Sequence, residues 1–129
     1  MKQYIDNGNG TVTDTKTGLM WQQATSSNML WDGALQYCED LTLASHDDLR
    51  LPTIQELQSI VDYSRHNPAI DTAYFPGTLP SWYWSSTTYA YDSSYAWCAY
   101  FYDGYVSSCG KGNYLDVRAV RGGQQREIK

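Results

Sequence analysis

The dipeptide Asp103-Gly104 lies between two runs rich in aromatic and small residues, and no other feature constrains this chain as tightly. Asp-Gly is favoured in the two-residue type I′ loop, whose twist matches that of antiparallel strands. Such a loop pairs Tyr102 with Tyr105, Phe101 with Val106, Tyr100 with Ser107, Ala99 with Ser108, and Cys98 with Cys109. Side chains alternate between the faces of a strand. Trp97, Ala99, Phe101 and Val106 therefore share one face, expected to be core. Cys98, Tyr100, Tyr102, Tyr105, Ser107 and Cys109 share the other, expected to be a tyrosine and serine surface. Cys98 and Cys109 fall opposite each other, within the Cα separation a disulfide spans. A reducing compartment would equally leave both as thiols.

The hairpin belongs to a longer segment of unusual composition. Ser81 to Asp116 holds eight of the 12 tyrosines and three of the five tryptophans, with only four charged residues, Asp92, Asp103, Lys111 and Asp116. Tyrosine supplies stiff contact area with a polar tip, and serine supplies adaptable hydrogen bonds, the combination antibody-type binding sites use. Tyrosine is also a good strand former on a half-exposed face. Its concentration on one face of one hairpin favours binding.

The rest of the chain reads as scaffold. Asp6-Asn7-Gly8-Asn9-Gly10 is a turn cluster that leads into Thr11-Val12-Thr13. A second turn precedes Leu19-Met20-Trp21, which predicts an N-terminal hairpin. The Asp/Asn/Gly spacing superficially matches a calcium loop but lacks the glutamate and flanking helices of one. Trp31, Ala34, Leu35, Cys38 and Leu41 recur at helical spacing, and Thr53-Ile54-Gln55-Glu56 is a capping box opening a second helix. Residues 64–80 carry Pro68, Pro76, Gly77 and Pro80 with no period and predict a long irregular connection. Residues 81–88, 95–109 and 115–120 predict strands. Trp21, Trp31, Leu35, Leu57, Val61, Trp84, Trp97, Phe101 and Val106 are the expected core. Arg118 and Arg121 alternate with apolar residues on the last strand, where at least one should tie that strand to a loop.

At 129 residues the chain fits one domain with a self-sufficient core. Nine basic residues against 14 acidic ones give a net charge of -5. The basic residues are scattered, which argues against nucleic acid as a partner. No apolar run approaches a membrane span, and Met1 leads directly into a turn-rich segment, so a location in the cytoplasm or in a virus particle is expected. The three cysteines have no metal spacing, and no cofactor is implied.

Five segments together resemble one known family: Asp6 to Asp14, Thr17-Gly18-Leu19-Met20-Trp21-Gln22, Leu51-Pro52-Thr53 with Glu56-Leu57, Tyr83-Trp84-Ser85-Ser86-Thr87-Thr88, and Val117-Arg118-Ala119-Val120-Arg121-Gly122-Gly123. It is the domain found at the C-terminus of bacterial collagen-like adhesins. The resemblance implies an α+β fold, a C-type lectin fold of the formylglycine-generating-enzyme subtype with two helices packed on a twisted, mostly antiparallel sheet with long loops. Leu30 stands where the family usually has a threonine helix cap, and Asp48-Leu49-Arg50 where aspartate-tryptophan-arginine is common. The Glu-Pro-Asn, Gln-Pro-Asp and Trp-Asn-Asp motifs of calcium-dependent sugar-binding lectins are missing from the sequence.

Some members of this fold group are variable proteins of diversity-generating retroelements, in which mutagenesis at adenines diversifies a C-terminal binding surface. The chain is similar to such products. The resemblance implies a variable region at about 90–116, with Tyr91, Asp92, Ser93, Cys98, Tyr100, Tyr102, Asp103, Tyr105, Ser107, Cys109, Tyr114, Leu115 and Asp116 as ligand-binding candidates. The expected function is that of a non-enzymatic receptor for a macromolecular ligand, most simply a protein. The alternative is an adhesin head that binds sulfated glycans, against which the net charge of -5 speaks. An enzyme using cysteine is the third class. Its candidates, Cys38, Cys98 and Cys109, have no base partner in the sequence, and His46 and His66 read as solvated polar residues.

Overall fold

The capping box forms as its spacing requires: the Thr53 hydroxyl accepts from the Glu56 N–H at 3.2 Å, and Glu56 Oε1 accepts from the Thr53 N–H at 2.9 Å. It opens helix α2, Ile54–Ser59. Burial disfavours the charged form of Glu56, but the Arg50 guanidinium and the Thr53 N–H outweigh it and hold the carboxyl below its usual range. Helix α1, Trp31–Asp40, starts at Leu30, whose side chain makes no capping bond. The periodic stripe of α1 buries Ala34 and Cys38 and half-buries Trp31 and Leu35.

The computed structural model describes residues 2–122; Met1 and residues 123–129, including Gly123 of the sequence motif, lie outside the described residues. The architecture is α+β, with two mostly antiparallel sheets. The smaller sheet has the order β1 (Tyr4–Asp6), β2 (Thr11–Asp14), β3 (Met20–Gln22) and β9 (Val120–Arg121). The larger has the order β4 (Ser26–Met29), β8 (Leu115–Val117), β5 (Trp82–Thr88), β6 (Tyr95–Tyr100) and β7 (Tyr105–Gly110). The β5–β8 pair is parallel. Residues 64–80 form the expected irregular connection.

The larger sheet is covered on both faces, one helix to each. On one face Tyr83 and Ala99 join Leu57 and Ile60 of α2 in a core with Val12, Trp21 and Phe75; Trp97 and Val106 pack at its border, only partly buried. Val61 is also half-buried there. On the other face Trp84, Ala96 and Cys98 meet Ala34 and Cys38 of α1. Hairpin alternation thus assigns the residues to the correct faces but not the character of the second, because α1 covers its middle.

Arg118 is the fully buried anchor of the C-terminal strands. Its Nη1 donates to the Gln22 carbonyl at 2.9 Å and to the Gln23 carbonyl, and its Nη2 donates to Thr25 Oγ1 at 3.1 Å and Thr78 Oγ1 at 2.6 Å. The guanidinium also lies 4.8 Å from the Phe75 ring centre. Burial pushes its pKa down to about 10, with Tyr83 acting in the opposite direction, so it stays charged at neutral pH. Arg121 binds Asp48 through two bonds at 2.6 and 3.0 Å. Both arginines therefore tie the chain end to loops.

Candidate functional site

The hairpin register is shifted by two from the expectation. Tyr100 pairs with Tyr105, Ala99 with Val106, Cys98 with Ser107, and Ala96 with Cys109. Phe101 to Gly104 form a four-residue loop instead of the two-residue one. The cause lies outside the hairpin: the Phe101 and Tyr102 carbonyls accept from the Ala69 and Asn67 N–H groups at 2.8 and 2.6 Å, and the Phe101 N–H donates to the Ser81 carbonyl at 2.8 Å. These bonds keep Phe101 and Tyr102 from pairing within the hairpin. A shift of two preserves the faces. Cys98 and Cys109 are now diagonal neighbours, with Cα atoms 6.0 Å apart, and are joined as a disulfide.

One row of aromatic side chains crosses three strands. Trp82, Tyr100 and Tyr105 are successive cross-strand partners on β5, β6 and β7 and share a face. Trp82 stacks on Tyr100 with ring centres 4.7 Å apart and 14° between planes, and meets Tyr105 edge-on at 6.2 Å. Tyr102 extends the stack from Tyr100 at 5.8 Å, and the His66 ring lies edge-on to Tyr102 at 6.2 Å. Tyr105 is 62% exposed and Tyr102 40%. Such stacking fixes the rings while Trp82 and Tyr100 stay half-buried and Tyr102 and Tyr105 exposed, so the row is a rigid, partly open aromatic pad.

A second aromatic group lies on the opposite face at the other end of the hairpin. Tyr89 packs edge-on against Trp97 at 5.2 Å and lies tilted against Tyr91 at 5.5 Å. Tyr95, paired with Gly110, sits beside it and is exposed. The turn between β5 and β6 is held by Asp92, whose Oδ1 accepts from the Ser94 hydroxyl at 2.6 Å and N–H at 3.0 Å. Those bonds hold the Asp92 carboxyl below its usual range and orient the turn bearing Tyr91. The Lys111 ammonium lies 3.8 Å from the Trp31 ring centre and donates to Thr88 Oγ1 at 3.1 Å.

Of the sequence candidates, Tyr91, Asp92, Ser93, Tyr102, Asp103, Tyr105 and Tyr114 are exposed, and Tyr100, Ser107 and Cys109 are half-buried. Cys98, Leu115 and Asp116 are corrections. Cys98 is covered by α1 and bonded to Cys109. Leu115 and Asp116 are buried because β8 is inserted between β4 and β5, where Leu115 enters the α1 core and Asp116 accepts a hydrogen bond from the Ser81 hydroxyl. Trp82, Tyr89, Tyr95 and Trp97 belong to the aromatic surface and were missed as contacts. Only the cross-strand register places Trp82 beside Tyr100, and that register is not local to either strand.

The three sulfurs considered as nucleophiles are two disulfide partners and one buried thiol. Burial pushes the Cys38 thiol up to about 12. Among the described residues no group of three or more His, Cys, Asp or Glu side chains is arranged to hold a metal ion. No helix among them is long and apolar enough to cross a membrane.

Comparison with known families returns a match over residues 10–121 to the Lcl C-terminal domain. Comparison with curated proteins returns no match.

Proposed function

Because the chain belongs to the Lcl C-terminal domain family, a family associated with variable adhesin-like proteins, we propose that it is a non-enzymatic receptor domain whose exposed aromatic surface binds a macromolecular ligand, in the first place a protein. The observation that carries this reading is the stacked row Trp82–Tyr100–Tyr105 with Tyr102, anchored where Trp82 packs at the border of the α1 core and open where Tyr102 and Tyr105 are exposed. Rigid aromatic area that is already ordered loses little conformational entropy on binding.

Two finer readings belong with this proposal. The scaffold is of C-type lectin type, in the formylglycine-generating-enzyme subtype, which agrees with two helices on a mostly antiparallel sheet and long loops. The surface is a product of a diversity-generating retroelement, supported by the gathering of Tyr, Ser, Asp and Cys in residues 90–116 on a single hairpin and its flanking turns. The Cys98–Cys109 disulfide favours display where thiols stay oxidised, on a cell or virus surface.

The coding neighbourhood tests the origin. A reverse transcriptase gene and a near-copy of the segment encoding residues 90–123, differing only at adenines, are expected; a neighbourhood with neither sinks the retroelement reading. A heparin column tests the alternative of a sulfated-glycan adhesin. Flow-through at physiological salt is expected from a chain of net charge -5, whereas salt-dependent retention would favour the adhesin reading.

A further inference from the structure

Strand β7 ends the larger sheet, and among the described residues its outer edge has no strand partner. It is six residues long, against three for the edge strand β1, two for β9 and four for β4, whose pairing is broken by a register shift. Natural edges are usually blunted by charge, proline, bulges or shortness. Tyr105–Gly110 contains no charged residue and no proline, and its pairing with β6 runs without a bulge.

The direction of the free backbone groups follows from the ladder. The Lys111 N–H donates to the Ser94 carbonyl at 2.9 Å, so residues 94 and 111, which continue the β6–β7 register, stand at a hydrogen-bonding position of the ladder. Such pairs alternate along an antiparallel ladder. Cys109 and Ser107 therefore turn their backbone groups toward β6, and Val106 and Ser108 turn theirs toward the open edge. The side chains of Ser107 and Ser108 are small enough to let another backbone approach.

The two aromatic groups lie on opposite faces and at opposite ends of this hairpin, Trp82, Tyr100 and Tyr105 on one, Trp97 and Tyr95 on the other. A body resting on either face reaches only one of them. A strand added alongside β7 sends alternate side chains over both. At the Tyr105 end, a shallow depression lined by Gln58, Tyr63, Asp103, Gly104, Tyr105 and Val106 offers room for one such side chain.

We propose that β7 binds its ligand by strand addition: an extended, uncharged segment of a partner protein pairs with the backbone of Val106 and Ser108 and places alternate apolar or aromatic side chains against the Trp82–Tyr105 row and the Trp97–Tyr95 group. This rests on the ligand-binding reading above and names the class of ligand. The absence of charge on β7 selects against charged side chains in the segment, which would be desolvated without a partner.

A phage-displayed library of linear dodecapeptides, selected on the full chain, is the probe. Enriched peptides are expected to bind Ser108→Pro at least tenfold more weakly than the parent, because proline removes an edge N–H that β6 does not use. They are also expected to slow amide exchange of Val106 and Ser108 in the parent at least tenfold, a readout that does not depend on the variant folding. Tyr102→Ser/Tyr105→Ser should weaken the same peptides. If no linear peptide enriches, or if enriched peptides leave both amides unprotected, strand addition is wrong. If those unprotecting peptides still lose affinity on Tyr102→Ser/Tyr105→Ser, the aromatic binding surface survives; if they are indifferent to it, that reading falls too. A concentration-dependent dimer of the parent, abolished by Ser108→Pro, would make a second copy the occupant and overturn the proposal.

Discussion

Replacing Arg118 with methionine keeps an unbranched side chain of similar reach and removes the guanidinium donors that join the last strands to the end of β3, the segment following it and Thr78. Four acceptors lose their partner, and the bonds to the Gln22 carbonyl and the Thr78 hydroxyl are fully buried. The Gln22 carbonyl left unsatisfied costs about 1–3 kcal/mol, and the Thr78 hydroxyl, which keeps its bond to the Phe75 carbonyl, loses a hydrogen bond to a charged group at about 1.5–3 kcal/mol, so the two come to ~2.5–6 kcal/mol. The partly buried Gln23 carbonyl and Thr25 hydroxyl recover water and add little. Removing the buried cation returns part of its desolvation cost, which places the net loss near 3 kcal/mol. For a slope of about 2 kcal/mol per molar urea, the unfolding midpoint should fall by about 1.5 M. Arg118→Lys retains the charge but replaces a planar fork with a point donor, and should recover less than half of that shift. A methionine variant within about 1 kcal/mol of the parent would refute the role assigned to this network.

Leu30→Thr should stabilise the protein by about 1 kcal/mol in urea unfolding, because the cap position of α1 has extended geometry and no side-chain bond to the helix. Gly104→Ala should destabilise it by ~2 kcal/mol or more, since Gly104 has φ +89° and a Cβ there would lie 2.7 Å from Val61 Cγ1 and 2.8 Å from Tyr63 Cε1. Glu56, whose folded pKa is depressed, contributes stability that is present above its unfolded value and lost as pH falls through the folded one. Glu56→Gln should accordingly flatten the fall in stability below about pH 4.5, followed by thermal melts across that range. A dithiol that opens Cys98–Cys109, separated by 11 residues, should lower stability by about 3 kcal/mol as the loop constraint on the unfolded chain is released.

The elements readable from sequence are those decided locally. The Thr53–Glu56 box and the Trp31–Leu41 stripe each involve residues within a few turns of one another, and both helices form where the spacing puts them. The register of β6 and β7 departs from the local expectation because Asn67 and Ala69, about 35 residues away in sequence, compete for the backbone of Phe101 and Tyr102. Leu115 and Asp116 looked like surface because nothing within β8 reveals that it is inserted between β4 and β5. Strand β4, Ser26–Met29, gave no signal: its polar residues lack alternation, and the strand exists because β8 pairs with it. Trp82 remained invisible as part of the aromatic row for the same reason, its neighbours being supplied by other strands.

The account centres on exposed tyrosines that rest on the fold without supporting it, and a thermal melt of one variant tests this most directly. Tyr91, Tyr102, Tyr105 and Tyr114 are 89%, 40%, 62% and 66% exposed, and the variant replaces all four with serine. Exposed substitutions change stability by less than about 0.5 kcal/mol each, so a combined loss below about 2 kcal/mol and a cooperative transition close to that of the parent are predicted. Truncated core aromatics cost about 3–5 kcal/mol each, and four together would exceed the stability of most domains of this size. A variant that is unfolded at room temperature would contradict the account.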